Sequence, residues 1–188
     1  MSENTASALP GAEFEGFVTV REAGLQGMIT LRGDLGAKAL AKALKDITGC
    51  SMPEPRKISH EGDCAVAWMS PDEVLILCPH KGAREMAAKL SGALAGEFAT
   101  VAEVSDARAV FTLSGVGWRD ALAKLCPVDF GALQQGDIRR TRAAQVAAAV
   151  LVTTETEATV ICFRSVGQYM FDLLSVAAAP GSEPALYV

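Results

Sequence analysis

The sequence predicts an α+β protein made of two repeated ferredoxin-like βαββαβ units. Three observations lead there. The first is an internal repeat. Thr30-Leu31-Arg32-Gly33 and Ala39-Leu40-Ala41-Lys42 return 82 residues later as Thr112-Leu113-Ser114-Gly115 and Ala121-Leu122-Ala123-Lys124, seven identities over thirteen positions. The second is a pair of β-hairpin signals, one after each copy. The third is an amphipathic helical segment after each hairpin.

The elements follow in order. Met28–Arg32 and Ala109–Ser114 are short apolar runs that stop at a glycine, each a strand. Asp34 stands at an N-cap position, Leu40, Leu44 and Ile47 follow with helical spacing, and Gly49 is a stop. In the second copy Trp118, Leu122 and Leu125 share a helical face that ends before Pro127. Ala65–Met69 and Val74–Leu77 flank the turn Ser70-Pro71-Asp72-Glu73. Val146–Val152 and Thr159–Phe163 flank Thr153–Glu157 in the same way. Helices are expected over about Ala83–Leu94 and Gly167–Val176, the latter opened by a Ser165-x-x-Gln168 capping box. Val101–Val104 and Leu186–Val188 are the expected closing strands. The domain reading is a flexible N-terminal arm over 1–12, a first half over 13–105 and a second over 106–188.

Composition narrows the function. The chain has 188 residues, 50% of them in the set AVILMFWYC, with 17 glycines besides. The usual share is ~45–50% for nearly the same set, which excludes a disordered chain. The formal net charge is −5 and aromatics make up 6%. Both count against a general nucleic-acid surface, which needs basic excess and stacking platforms. Cys50, Cys64, Cys78, Cys126 and Cys162 occur singly, with no CxxC and no Cys/His ligand spacing, as free thiols do in a reducing compartment. Met1–Gly11 lacks the basic and apolar regions of a signal peptide, and Ala143–Thr154 is too short to span a bilayer. A cytoplasmic location is the expectation.

No catalytic constellation is visible. His60 lies in the long loop Gly49–Asp63 and His80 just after a strand, neither beside a nucleophile motif. Gly115-Val116-Gly117-Trp118-Arg119-Asp120 begins like a dinucleotide fingerprint but has Asp at the third glycine, so a tight turn and a phosphate site both stand as readings. Glu13/Glu15 and Glu155/Glu157 read as solvated turn or edge pairs. Arg139, Arg140 and Arg142, beyond the loop Pro127–Gly136, form the one basic cluster. On an extended segment Arg140 and Arg142 point the same way, either into solvent or onto a partner's carboxylates or an anion.

At this point the sequence resembles a known family. Trp68-Met69-Ser70-Pro71-Asp72-Glu73-Val74-Leu75 is similar to the Trp-x-x-Pro-Asp-Glu hairpin of the gamma subunits of heterotetrameric sarcosine oxidase. So are Leu113-Ser114-Gly115, Gly136 followed by Arg140-Thr141, and Phe163-Arg164-Ser165, in register from about Glu22 to Val176. The resemblance implies a fold like the folate-binding domain of glycine-cleavage aminomethyltransferases. It implies a noncatalytic, structural role in a complex that oxidises sarcosine to glycine, with hydrogen peroxide and methylene-tetrahydrofolate as further products. It places FAD, FMN and NAD in the alpha and beta subunits and zinc in the delta subunit, with none in this chain. The partners it implies are alpha, beta and delta, chiefly alpha, and neither nucleic acid nor membrane. It supplies no catalytic, cofactor or metal residue. Trp68, Pro71, Asp72, Glu73, Arg164 and Ser165 are motif positions, and Arg139, Arg140 and Arg142 are the partner-contact candidates. Two other classes remain open: a stand-alone folate-binding or one-carbon transfer protein, and a regulatory module that binds a small anion.

Overall fold

A computed structural model describes residues 5–187. The chain opens with two short strands, β1 (Glu13–Glu15) and β2 (Thr19–Glu22). Residues 26–105 then form one continuous compact unit, and residues 106–187 join the N-terminal segment through residue 25 in a second, split unit.

The continuous unit runs β3 (Gly27–Arg32), α1 (Lys38–Thr48), β4 (Ile58–Glu61), β5 (Cys64–Ser70), β6 (Glu73–Cys78), α2 (Ala83–Ala93) and β7 (Thr100–Glu103). Its sheet has the order β4-β5-β6-β3-β7, antiparallel throughout. That is the ferredoxin-like order with β4 added at one edge. Ile29 and Leu31 alternate inward from β3 and meet Val66, Val74 and Ile76. Leu40 and Leu44, one helical turn apart on α1, and Leu90 of α2 close the core over them. Gly49 ends α1 at φ +76°, and its N–H bonds the Lys45 carbonyl at 2.9 Å. A left-handed residue there costs glycine nothing.

The split unit runs β8 (Arg108–Ser114), α3 (Trp118–Ala123), β9 (Ile138–Ala143), β10 (Val146–Thr154), β11 (Glu157–Phe163) and α4 (Gly167–Ala177). Its sheet order is β1-β2-β8-β11-β10-β9. The core joins Phe111, Leu113, Val150, Val160, Trp118, Met170 and Leu174. Both units thus carry the same antiparallel framework, and the α+β reading with repeated ferredoxin-like units holds.

Five expectations need correction. The closing strand of the second half is not Leu186–Val188. Thr19 pairs with Ser114 as Thr100 pairs with Arg32 in the other unit, so β2 holds the position β7 holds there. Val18 and Val20 alternate inward with Thr19 and Arg21, a better strand than a tail interrupted by Pro184, whose nitrogen cannot join a ladder. Leu186 is irregular and donates its N–H to Asp120 Oδ1 at 2.9 Å; Val188 lies outside the described residues. Residues 13–25, read as part of the first half, therefore belong to the second sheet.

The arm over 1–12 is pinned where it is described. Arg164 donates to the carbonyls of Ala6 and Ser7 at 2.9 and 3.0 Å, Ser7 Oγ donates to Glu22, and Ala8 and Leu9 pack on the core. Residues 1–4 lie outside the described residues. Ala37, not Asp34, precedes α1. Asp34 turns its carboxylate to the Gly36 N–H instead, at 2.9 Å. The Ser165/Gln168 capping box does not form, because Arg164–Val166 make a 3₁₀ turn and Gln168 donates to Asp172 one helical turn ahead.

Candidate functional site

The repeat's two glycines sit at the same place in the two frameworks. Gly33 follows β3 and donates its N–H to the Asp72 carbonyl at 3.0 Å; Gly115 follows β8 and donates to the Thr156 carbonyl at 2.8 Å. Each acceptor is the residue before the neighbouring strand, β6 or β11. Gly115 has φ +138°, which a side chain rarely adopts, and a Cβ there would lie 3.1 Å from Val18 Cγ1.

The Gly-x-Gly turn of the split unit is filled from within. A Cβ on Gly117 would stand 2.8 Å from the Phe17 ring. The Lys124 ammonium lies 5.0 Å from the centroid of that ring, held by the Ala177 carbonyl at 2.7 Å and Ser182 Oγ at 2.8 Å. Asp120, where a fingerprint would have glycine, is buried and receives the Leu186 N–H. The surroundings of this turn are those of a packed corner, with an aromatic ring against its second glycine.

The motif hairpin supports the corresponding corner of the continuous unit. Trp68 is half-buried and pairs with Val74, and its N–H reaches the Lys57 carbonyl at 3.0 Å. Pro71 and Asp72 form the exposed turn, where Ser70 Oγ donates to Asp72 Oδ1 at 2.5 Å. Glu73 is buried and takes an ion pair from Arg32 at 2.7 Å, which raises the pKa of that guanidinium. Beside this hairpin lies a pocket of about 440 Å³, bordered by Arg32, Asp34, Asp72, Glu97, Phe98 and Thr100 around the Gly33 turn. Phe98 is 100% exposed. Sequence reasoning missed Phe98, since a lone aromatic in a loop carries no periodic signal. Arg164, the other motif arginine, holds the N-terminal segment, and Ser165 is exposed.

The three candidate arginines lie on β9, an edge strand. Arg140 and Arg142 are exposed and share one face; Arg139 is on the other, its Nη1 donating to the Ile138 carbonyl at 2.8 Å. Arg140 stands opposite Ala149, and that row continues through Ile161 to Val110. Arg142 stands opposite Ala147, and on the same face Phe163 stands opposite Arg108. The Arg108 guanidinium lies 4.3 Å from the Phe163 ring centre, and Phe163 is 50% exposed. The sheet thus brings an aromatic ring and three guanidinium groups to one face.

The other sequence candidates stay apart. His60 is exposed on β4, and His80 begins a 3₁₀ turn. Glu13 pairs with Arg21 at 2.5 Å, which lowers its pKa through that hydrogen bond. Glu157 accepts from Ser114 Oγ at 3.0 Å. All five cysteines are free, and burial pushes the thiols of Cys78, Cys126 and Cys162 up to about 11. Among the described residues no group of three His, Cys, Asp or Glu could hold a metal ion, and no helix is long and apolar enough to cross a membrane.

The fold defines the class: a chain of two antiparallel α+β units with the same ferredoxin-like framework. The model of the sarcosine oxidase gamma subunit family matches residues 32–180. The chain belongs to that family. It is 35% identical over 131 residues to the sarcosine oxidase subunit gamma of Corynebacterium sp. (strain P-1), covering 68% of this chain and 63% of that one, and 33% identical to the Arthrobacter sp. counterpart over the same shares. The matched part therefore spans under two thirds of those relatives. A chain in the structure of heterotetrameric sarcosine oxidase from Corynebacterium sp. U-96 matches with TM-score 0.79 and 26% identity, over 88% of this chain and 87% of that one. The glycine cleavage system aminomethyltransferase T of Bartonella henselae shares the fold at TM-score 0.58 and 13% identity, over 79% of this chain and 43% of that one.

Proposed function

We propose that this chain is a noncatalytic structural subunit of a heterotetrameric sarcosine oxidase, assembled with alpha, beta and delta chains and held chiefly by alpha. The observation that carries the reading is the match to a chain of that heterotetramer over nearly the whole length of both. On this reading the complex oxidises sarcosine to glycine, passing the methyl carbon to tetrahydrofolate and two electrons to dioxygen, which leaves as hydrogen peroxide. FAD, FMN, NAD and zinc belong to the other subunits, and this chain contributes surface. The five free thiols fit a cytoplasmic complex.

Arg139, Arg140 and Arg142 are the proposed partner contacts. Two exposed guanidinium groups lie on one side of an edge strand, in a chain of net charge −5. Such groups set register and encounter rate through complementary potential. Arg140→Glu is expected to weaken co-elution with co-expressed alpha and beta chains on gel filtration, while the isolated chain keeps its circular dichroism. Wild type that never co-elutes would refute the subunit reading. An Arg140→Glu complex as tight as wild type would refute the contact face alone.

A further inference from the structure

The two units treat one equivalent aromatic residue in opposite ways. Thr19 and Thr100 hold the same register against β8 and β3, which makes Phe17 and Phe98, two residues earlier, counterparts. Phe17 is packed against Gly117 and covered by the Lys124 ammonium. Phe98 is bare. The repeat places the corresponding lysine differently as well. Lys124 corresponds to Lys42 at the offset of 82, and Lys42 forms an ion pair with Asp46 on its own helix. The lysine that covers the ring in the split unit thus has a different partner, on its own helix, in the continuous one.

What surrounds Phe98 specifies the missing cover. Asp34, Asp72 and Glu97 border the same pocket, and Arg32 is paired with Glu73. One guanidinium, already paired with buried Glu73, borders the pocket with three carboxylates, so the rim is negative around an aromatic face. A planar cation suits both features, because a guanidinium stacks on the ring and forks its N–H donors to carboxylates beside it.

We propose that the Phe98 pocket is a docking site for an arginine side chain presented by a partner protein. The inference deepens the subunit reading and rests on it for the identity of the partner, but the pocket's preference for a guanidinium is testable on the full chain alone.

The test uses Phe98→Trp as a reporter in a Trp68→Phe background, where Trp118 is fully buried. Acrylamide quenching is measured with tri-arginine, tri-lysine or tri-glutamate peptide, and after assembly with the alpha and beta chains. Tri-arginine and assembly should each shield the reporter, and tri-glutamate should not. Asp34→Asn with Glu97→Gln should weaken tri-arginine binding by about tenfold, the combined scale of two exposed ion pairs. Equal protection by tri-lysine would overturn the guanidinium assignment. Undiminished quenching in an assembled complex would overturn the docking site and leave the subunit reading standing. Wild type that fails to assemble while tri-arginine still protects would overturn the subunit reading and leave the cation site. Protection by neither overturns the site.

Discussion

Strand β2 is predicted to be indispensable to the split unit, and Val20→Asp tests it. Val20 is fully buried, pairs with Leu113 and lies in the cluster of Phe111, Trp118, Met170 and Leu174. Losing a buried valine removes ~1.5–3 kcal/mol of transfer free energy. Setting a carboxyl in an apolar core without a partner costs a further ~2–7 kcal/mol, even after it takes up a proton. The loss is about 4 kcal/mol even near the low end of both ranges, against the ~5–15 kcal/mol that ordinarily holds a domain together. The two tryptophans divide the readout, since Trp118 belongs to the split unit and Trp68 to the continuous one. With Trp68→Phe, urea unfolding followed at Trp118 should show its midpoint fall by about 2 M, for a slope of ~2 kcal/mol per molar. A midpoint that moves by less than about 0.5 M would refute the placement of this strand in the core and favour a dispensable N-terminal segment.

Three further outcomes are expected. A Cβ on Gly16 would lie 1.9 Å from the Ala178 carbonyl oxygen, so Gly16→Ala should cost about 3 kcal/mol or more, whereas Gly82, in open space at φ −97°, should accept alanine with a change within about 1 kcal/mol, both read from thermal midpoints. Arg164→Ala frees the carbonyls of Ala6 and Ser7; amides of residues 5–12 should then exchange faster while those of residues 26–105 keep their rates. The buried thiols of Cys126 and Cys162 ionise only at about 11 when folded and nearer ~8.5 when unfolded, so the folded chain holds these protons longer. Their contribution to stability should be full below about pH 8.5 and decline as pH rises to about 11, and Cys126→Ala with Cys162→Ala should flatten that decline in denaturant titrations.

Local signals made much of the framework legible. The apolar alternation of β5 and β6 around Pro71-Asp72, the helical spacing of Leu40 and Leu44, and Gly49 at the end of α1 each encode their own conformation within a few residues. The repeat then revealed that the framework occurs twice. What the sequence concealed was partnership at a distance. Val18 and Val20 carry a strand's alternation, but nothing near them says that their neighbour is Leu113 rather than Leu31. Asp34 and Ser165 look like caps because their side chains can serve as caps, while Asp34 takes the Gly36 N–H and Gln168, the box's other half, turns to Asp172. The arginine face was half visible, since a strand sets Arg140 and Arg142 on one side, but Phe163 and Arg108 join it only through pairing. Phe98 gave no signal, because exposure is a property of what fails to cover a residue.

The pairing of β2 with β8 also bears on how the chain is made. Residues 26–105 contain every strand of their own sheet, so the nascent polypeptide carries a complete folding unit as soon as β7 leaves the ribosome. The split unit has no such freedom. Its strand β2 precedes residues 26–105 in the chain, and β8 begins only at Arg108. At ~5–20 residues per second, Val18 and Val20 wait several seconds for the surface that buries them. Residues 26–105 can close their own sheet before β8 exists, whereas β2 has no partner strand until it does.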